Sequence, residues 1–157
     1  MSGLVNEAVR QELTKYLTRH NLRRTQERYV MLDAVFSMEG HFTAEEFHGY
    51  MEKNVMFHVS KATIYNNLEI FMKANLVSKL QLGPMTMYEK VDVSRSHIHL
   101  VCTTCGKTKE VRDKALHELL TAKKVRGFYT SHYSVCLYGS CSACVKSGKK
   151  QQEKNKD

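Results

Sequence analysis

The sequence HIHLVCTTCGK occupies residues 97–107 and holds two kinds of metal ligand, a pair of histidines followed by a pair of cysteines. Cys141 and Cys144 repeat the two-residue spacing that separates Cys102 from Cys105. This spacing lets both thiolates of a pair reach one ion, and two pairs complete the tetrahedral sulfur environment typical of structural Zn²⁺. The four cysteines therefore predict a zinc site that fastens the last strand of this half of the chain to its first turn.

A competing interpretation is that these cysteines are buried or redox-active thiols. A thioredoxin-like motif would need only one such pair beside a βαβ unit, which the sequence does not predict. The chain lacks a signal peptide's apolar stretch, and no run reaches the roughly 18 apolar residues of a membrane span. We therefore expect a cytoplasmic protein with no membrane partner, whose thiols stay reduced or bind metal. Cys136, the fifth cysteine, has no predicted role.

His97 and His99 form the second signal. In a strand, alternation places both imidazoles on the same face. Neutral imidazoles suit Fe²⁺, Zn²⁺, Mn²⁺ or Ni²⁺, and the nearby Glu89 and Glu110 could add oxygen ligands. The alternative is that these histidines are hydrogen-bonded or face solvent without binding metal.

The net charge of +8 and the pI near 9.3 favour a polyanionic partner. Residues 91–157 carry a net +7, so the remainder of the chain has a net charge of only +1. Within that remainder, positive charge is concentrated between Arg10 and Arg28, where basic residues exceed acidic ones by four. Phosphate or minor-groove contacts are therefore expected from Arg23, Arg24 and Arg28.

Helical periodicity dominates the first half of the chain. Thr43 and Glu46 form a capping box, in which each side chain satisfies an amide at the start of a helix. Two β-prone runs follow on either side of the turn Leu82-Gly83-Pro84, and helices followed by a hairpin indicate a winged-helix domain. The predicted helices run from Leu4 to Leu17, from Thr25 to about Ser37, from Thr43 to Lys53 and from Ser60 to Met72.

The helix predicted from Ser60 follows a capped helix and a turn, which is the arrangement of a helix-turn-helix motif. Its N-terminal turns would place Ser60, Lys61, Thr63 and Tyr65 toward a DNA major groove. The alternative is that Tyr65 packs on the protein surface and contacts no ligand.

The second half changes to strands around one helix, an α+β pattern. The helix should turn Leu116, Leu119 and Leu120 inward. Residues 146–157 are rich in lysine and poor in apolar residues, which predicts a basic disordered tail. The predicted elements are strands at His97–Cys102, Lys107–Arg112 and Phe128–Tyr138, and a helix at Lys114–Val125.

The order of these segments resembles that of the ferric uptake regulator family of bacterial metalloregulators. The resemblance extends from about Leu22 to Cys144. The matching segments are NLRRT at 21–25 with Arg28, GHFTAE at 40–45, ATIY at 62–65 with Leu68, Tyr88-Glu89, HIHLVCTTCGK at 97–107 and LYGSC at 137–141.

The resemblance implies an α+β fold with an N-terminal winged-helix DNA-binding domain and a C-terminal α/β dimerisation domain. We expect the first domain at residues 1–82, a hinge at 83–90 and the dimerisation and metal-binding domain at 91–145. The implied partners are double-stranded operator DNA and a second copy of the chain, in a homodimer or a higher oligomer.

Two metal sites are also implied by the resemblance. The four cysteines would hold structural Zn²⁺, and a regulatory divalent metal would be bound at the domain junction, most simply Fe²⁺, with Zn²⁺ or Mn²⁺ as alternatives. The implied role is that of an iron-type repressor of metal-uptake genes. This chain has Glu89 at a position where peroxide-sensing relatives favour aspartate and zinc-uptake relatives favour cysteine. A sensor of zinc, manganese, peroxide or haem is the alternative. The implied regulatory ligands are His41, Glu89, His97, His99 and Glu110.

The sequence departs from the family at a further metal site, in the helix from Ser60, and at residues 25–28, where Thr25-Gln26-Glu27-Arg28 lacks the usual proline. A further metal site found in many members falls on Ser96, Ile98, His117 and Tyr133, with His132 one residue out of register, so we expect this site to be absent or altered. Asn66 stands where the family usually has an arginine, which leaves the operator sequence open.

Two other classes of function compete with this interpretation. A metal-dependent hydrolase could use the histidine and glutamate ligands, but no His-Glu-x-x-His helix, serine elbow or phosphate loop supports an enzyme. A zinc-stapled protein-interaction module without DNA binding is the second rival, and it would make the arginine cluster and the helix from Ser60 dispensable.

Overall fold

The computed structural model describes residues 2–82, 85–91 and 97–154, with side chains for residues 7–82, 85–91 and 97–148. The predicted turn residues Gly83 and Pro84 and the candidate ligand Ser96 lie outside the described residues. The chain divides into two compact units, the first made of Met1–Gln81 and Met85–Val91 and the second of Leu82–Pro84 and Asp92–Asp157.

Four helices followed by a two-stranded sheet form the first unit, in the order that the sequence predicts for a winged helix. Each predicted helix is present, with ends that differ by a few residues. The elements are α1 (Ser2–Arg19), α2 (Gln26–Ser37), α3 (Ala44–Lys53), α4 (Lys61–Lys73), β1 (Val77–Leu82) and β2 (Met85–Lys90).

The core of the first unit forms where the apolar stripes of its helices meet. The apolar stripe of α4 consists of Ile64, Leu68 and Phe71, which are buried, and Met72, which is partly buried. Lys61 and Tyr65 on the opposite face are exposed. A helical spacing of apolar residues produces this result because positions three and four apart share one face. The hydrophobic core thus holds α4 by one side and leaves its other side available for a ligand.

Side-chain caps begin the two helices that form the helix-turn-helix. The Thr43 hydroxyl accepts a hydrogen bond from the Glu46 amide at 3.1 Å, and the Glu46 carboxylate accepts one from the Thr43 amide at 2.7 Å. These two bonds are the predicted capping box. The Ser60 hydroxyl similarly accepts from the Thr63 amide at 3.1 Å, which fixes the first turn of α4.

Replacing Thr43 with alanine is expected to lower the free energy of unfolding by about 1 kcal/mol, because one amide of α3 loses its partner. Urea denaturation of the zinc-loaded protein, followed by circular dichroism, measures this change. Thr18→Ala is the control, since Thr18 is exposed in α1 and caps no helix. Equal effects of the two substitutions would contradict a capping role.

The segment predicted as a hinge differs in the structure, because residues 85–90 form β2 and belong to the first unit. Tyr88 and Phe42 pair as an antiparallel bridge, with amide-to-carbonyl distances of 2.9 and 2.7 Å. Lys90 donates to the carbonyls of Phe36 and Met38 at 3.1 and 3.0 Å. These contacts between residues distant in sequence fasten the segment, and periodicity does not reveal them.

The second unit contains a three-stranded sheet in the order β4-β3-β5. Strand β3 runs antiparallel to β4 and parallel to β5, so His99 lies between Glu110 on one side and Cys136 on the other. The last strand is shorter than predicted, and a tight turn at Gly127 (φ +76°) precedes it. The elements are β3 (Ile98–Cys102), β4 (Thr108–Val111), α5 (Lys114–Ala122), β5 (Val135–Gly139) and α6 (Ser142–Lys154).

Few side chains of the second unit are buried. From residue 97 onward, the buried ones among the described residues are His99, Val101 and Cys102. Leu119, predicted to face inward, is 69% exposed, and Leu116 and Leu120 are only partly buried. The helical spacing is correct, but within a single chain α5 has too little sheet to cover its apolar face.

The predicted disordered tail also differs, since α6 continues through residues 146–154. Lysine, glutamine and glutamate are good helix formers, and the segment contains no proline, which explains how a polar sequence takes this form. Residues 155–157 lie outside the described part. None of the described helices combines the length and apolar character needed for a membrane span.

Candidate metal centres and nucleic-acid interface

Strand pairing brings the four predicted zinc ligands together. Because β3 and β5 are parallel, Cys102 lies opposite Gly139, and the chain reaches Cys141 two residues later. The Thr103 amide donates to the Gly139 carbonyl at 2.8 Å and continues the pairing beyond the strand. The second cysteine pair therefore arrives beside the first, as the sequence predicts.

Tight local turns bring the thiols toward one another. The Gly106 amide donates to the Cys102 carbonyl at 2.8 Å, and Gly106 takes a φ of +73°, which glycine adopts without a Cβ penalty. The Cys141 amide points at Cys102 Sγ at 3.3 Å. Cys144 lies in the first turn of α6, so a helix start supplies the fourth ligand.

The sulfur spacing fits a tetrahedral ion. All four Sγ atoms lie within 4.8 Å of one another, with Cys102 to Cys144 at 4.0 Å and Cys105 to Cys141 at 3.8 Å. Zn–S bonds of about 2.3 Å place tetrahedral sulfurs about 3.8 Å apart. The cysteines are thus arranged as one zinc ion requires.

The electrostatics of the cluster also favour a cation. Backbone amide donors from Cys141 and Cys105 lower the pKa of Cys102 to about 6. Hydrogen bonds with the neighbouring thiols, Cys141 first and Cys105 next, raise the pKa of Cys144 to about 12. The protein alone therefore stabilises the first thiolate and opposes the last, and a divalent cation removes that opposition.

Each unit carries part of the predicted regulatory ligand set. In the first unit, His41 Nε2 lies 3.0 Å from Glu89 Oε2, and both side chains are largely buried, at 10% and 16% exposure. The neighbouring Phe42–Tyr88 bridge aligns these two residues. Ser78 donates to the other Glu89 oxygen at 3.2 Å, which orients the carboxylate.

In the second unit, the Nε2 atoms of His97 and His99 lie 3.0 Å apart, and His97 Nε2 is 3.8 Å from Glu110 Oε2. Strand alternation and the pairing of His99 with Glu110 produce this arrangement. Two imidazoles bound to one ion at about 2.1 Å and at a right angle would have the same separation, about 3.0 Å. The histidine pair therefore has a spacing that one metal ion accepts.

The residues at the positions of the family's further metal site are arranged differently. His117 Nδ1 contacts the Tyr133 hydroxyl directly, and Ile98 offers no ligand atom. His132 is exposed and lies beside Ser131. Around His117, the described residues supply no converging group of three or more His, Cys, Asp or Glu side chains.

The predicted DNA-facing residues of α4 fall into two groups. The hydroxyls of Ser60 and Thr63 lie 2.9 Å apart and act locally at the helix start. Lys61 is exposed, and Tyr65 is 47% exposed with its hydroxyl donating to Glu45 Oε1 at 3.0 Å. The contact with Glu45 was not predicted, because it joins two helices 20 residues apart.

The arginines of the predicted cluster also have separate roles. Arg23 and Arg24 are exposed in the loop before α2, and the Arg28 guanidinium donates to the Arg23 carbonyl. Arg10 instead pairs with Asp33, with Nε to Oδ1 at 2.9 Å, and this bond raises the pKa of the guanidinium. Arg10 thus links α1 to α2, and the loop arginines remain as candidates for phosphate contacts.

Comparison with known proteins agrees with these features. The Ferric uptake regulator family profile matches residues 19–138. The peroxide operon regulator of Bacillus subtilis is 31% identical over 137 residues, covering 86% of this chain and 92% of the relative. The structure of the ferric uptake regulator from Pseudomonas aeruginosa with manganese superposes with a TM-score of 0.66 at 26% identity, covering 82% of this chain and 97% of the other.

Proposed function

The chain belongs to the ferric uptake regulator family, and we propose that within it the protein is a metal-responsive repressor that binds operator DNA as a homodimer. The observation that carries this proposal is that a winged-helix unit with an exposed face on α4 and a four-thiol cluster with zinc spacing occur in one chain. Gel shifts on promoter DNA, with and without added metal, test it. DNA binding that is absent under both conditions would favour the zinc-stapled interaction module.

The proposed DNA interface combines α4 with the loop before α2. Ser60, Lys61, Thr63 and Tyr65 belong to the start of α4, the part of a recognition helix that contacts base edges. Arg23 and Arg24 are exposed cations suited to phosphates, and Arg28 supports that loop through its bond to the Arg23 carbonyl.

Arginine and tyrosine substitutions should affect DNA binding differently. Arg24→Ala should weaken binding to operator and unrelated DNA alike and reduce the salt slope by about one. Tyr65→Ala should cost about 1 to 3 kcal/mol on the operator and little on unrelated DNA. Fluorescence anisotropy titrations at several salt concentrations measure both effects.

The control for this comparison is Lys15→Ala, because Lys15 is an exposed cation of α1 that already pairs with Glu12 at 2.7 Å. It should leave the salt slope unchanged. Unaltered operator affinity in Tyr65→Ala would show that α4 is not the recognition helix.

We further propose that one divalent ion is bound jointly by His41 and Glu89 of the first unit and by His97, His99 and Glu110 of the second. Support comes from the ligand types, imidazole nitrogen and carboxylate oxygen, which suit Fe²⁺, Mn²⁺ and Zn²⁺. The spacing within each unit is a second support. Ligands drawn from both units would make metal affinity depend on the inter-unit arrangement, so an arrangement favoured by metal and by DNA couples the two ligands.

The identity of the sensed effector divides the family. Glu89 supports an iron-type sensor, whereas relatives with similar sequences include peroxide-responsive repressors. Treating the Fe²⁺-loaded protein with peroxide tests the choice. An iron-type repressor should regain its DNA affinity once peroxide is removed and Fe²⁺ is supplied again, whereas a peroxide sensor should not.

A homodimer is supported by the surface of the second unit. Large apolar side chains are exposed there, and monomeric proteins rarely expose large apolar patches. A second copy that covers this face would supply the missing core. The exposed residues are Val111, Leu119, Val125, Phe128, Tyr129, Leu137, Tyr138 and Val145.

A further inference from the structure

A carboxylate occupies the proposed DNA-binding face, where phosphates would repel it. Glu45 lies in the first turn of α3, and its Oε1 atom accepts a hydrogen bond from the Tyr65 hydroxyl of α4 at 3.0 Å. Both residues are exposed, so neither burial nor a role in the core explains the pair. An acidic side chain retained at a polyanion-binding surface calls for a functional reason.

The pair lies beside a cavity at the surface of the first unit. The cavity has a volume of about 210 Å³ and is bounded by both helix starts and β2. The hydrogen bond to the Glu45 carboxylate raises the pKa of Tyr65, a phenol that is protonated at neutral pH even at its ordinary value of about 10. The residues that line the cavity are Thr43, Ala44, Glu45, Tyr65, Met85, Thr86 and Tyr88.

The bond fixes the hydrogen-bonding character of the Tyr65 hydroxyl. A phenol has one proton to donate, and here Glu45 receives it. The oxygen can then only accept a further hydrogen bond. Phosphate oxygens, guanine O6 and N7, and thymine O4 are all acceptors, so none of them can pair with it.

We propose that Glu45 determines what Tyr65 recognises, by making its hydroxyl an acceptor for the amino group of adenine or cytosine in the major groove. In the major groove, adenine N6 and cytosine N4 are the exocyclic donors. Glu45 is a positioning residue, since it acts through Tyr65. The inference rests on the proposed function, because it takes α4 as the recognition helix.

The experiment selects operator sequences from random DNA with the wild-type protein and then measures binding to operators changed one base pair at a time. At one position, the wild type should favour a base that presents an amino group. Glu45→Ala and Tyr65→Phe should each reduce that discrimination by roughly 5-fold to 100-fold, the effect of one base contact. Glu45→Gln should largely retain it, because the amide oxygen still accepts from Tyr65.

A double substitution separates positioning from a general structural effect. Glu45→Ala should have no further effect on discrimination in the Tyr65→Phe background. Glu69→Gln is the matched control, since Glu69 is an exposed acid of α4 that pairs with Lys73 at 2.7 Å, and it should leave base preference unchanged.

Each outcome supports or overturns the inference. Unchanged base preference in Glu45→Ala overturns the inference. It is also overturned if Glu45→Ala reduces base discrimination by the same factor in the Tyr65→Phe background as in the wild type. In both cases the proposed function stands as long as the wild-type protein selects a defined operator. Failure of the metal-loaded wild type to enrich any sequence would instead overturn the proposed function together with the inference.

Discussion

Cys102→Ser is expected to lose the zinc, the fold of the second unit and the dimer. The four sulfur atoms form one cluster, and this unit has few buried side chains of its own. Structural zinc binding in zinc-finger peptides contributes about 10 to 16 kcal/mol, comparable with the whole stability of a domain. Removing one ligand should therefore unfold the second unit while the first, with its own core, stays helical.

Elemental analysis for zinc, sedimentation equilibrium and circular dichroism measure the three losses. Cys136→Ser is the matched control, because Cys136 lies in β5 outside the sulfur cluster. It should bind as much zinc as the wild type and remain dimeric. Wild-type zinc content in Cys102→Ser would exclude the proposed site.

His97→Ala combined with His99→Ala should abolish the response of DNA binding to metal without loss of zinc or dimerisation. The two imidazoles have the spacing of joint ligands, whereas the cysteine cluster lies elsewhere in the same unit. The coupling free energy between two ligands, here metal and DNA, typically amounts to about 1 to 3 kcal/mol, or about 5-fold to 150-fold in affinity. The variant should therefore bind the operator with the low affinity of the metal-free wild type.

Operator titrations with and without Fe²⁺, Mn²⁺ or Zn²⁺ measure the response. His117→Ala with His132→Ala is the matched control and should respond normally, since among the described residues these two histidines of the same unit belong to no metal cluster. If metal still raised the operator affinity of the His97 and His99 variant as much as that of the wild type, these residues would be excluded as the sensor.

The same metal response should depend on pH in a defined direction. Imidazole binds metal only in its neutral form, and an ordinary histidine takes up a proton near pH 6.5. Protons then compete with the metal, so the response of the wild type should weaken as pH falls below about 6.5. Zinc content measured at the same pH values distinguishes this effect from loss of the structural ion.

Local sequence patterns predicted the elements, and non-local contacts account for most of the differences. The capping box at Thr43 and the cysteine spacing depend on residues a few positions apart, and both are present. The Tyr88–Phe42 bridge and the Arg10–Asp33 pair join residues far apart in sequence, so no periodicity indicates them. The exposed Leu119 differs for another reason, because helical spacing identifies an apolar face without specifying which chain covers it.

The parallel pairing of β3 with β5 affects when the second unit can form during synthesis. Cys102 and Cys144 are 42 residues apart in the chain, and translation at about 5 to 20 residues per second separates them by about 2 to 8 s. The first unit can fold on the ribosome during that time, because all of its residues precede Cys102. The thiols of Cys102 and Cys105 lack their partners during that interval, so the nascent chain should be most sensitive to oxidants and zinc shortage between the synthesis of Cys102 and that of Cys144.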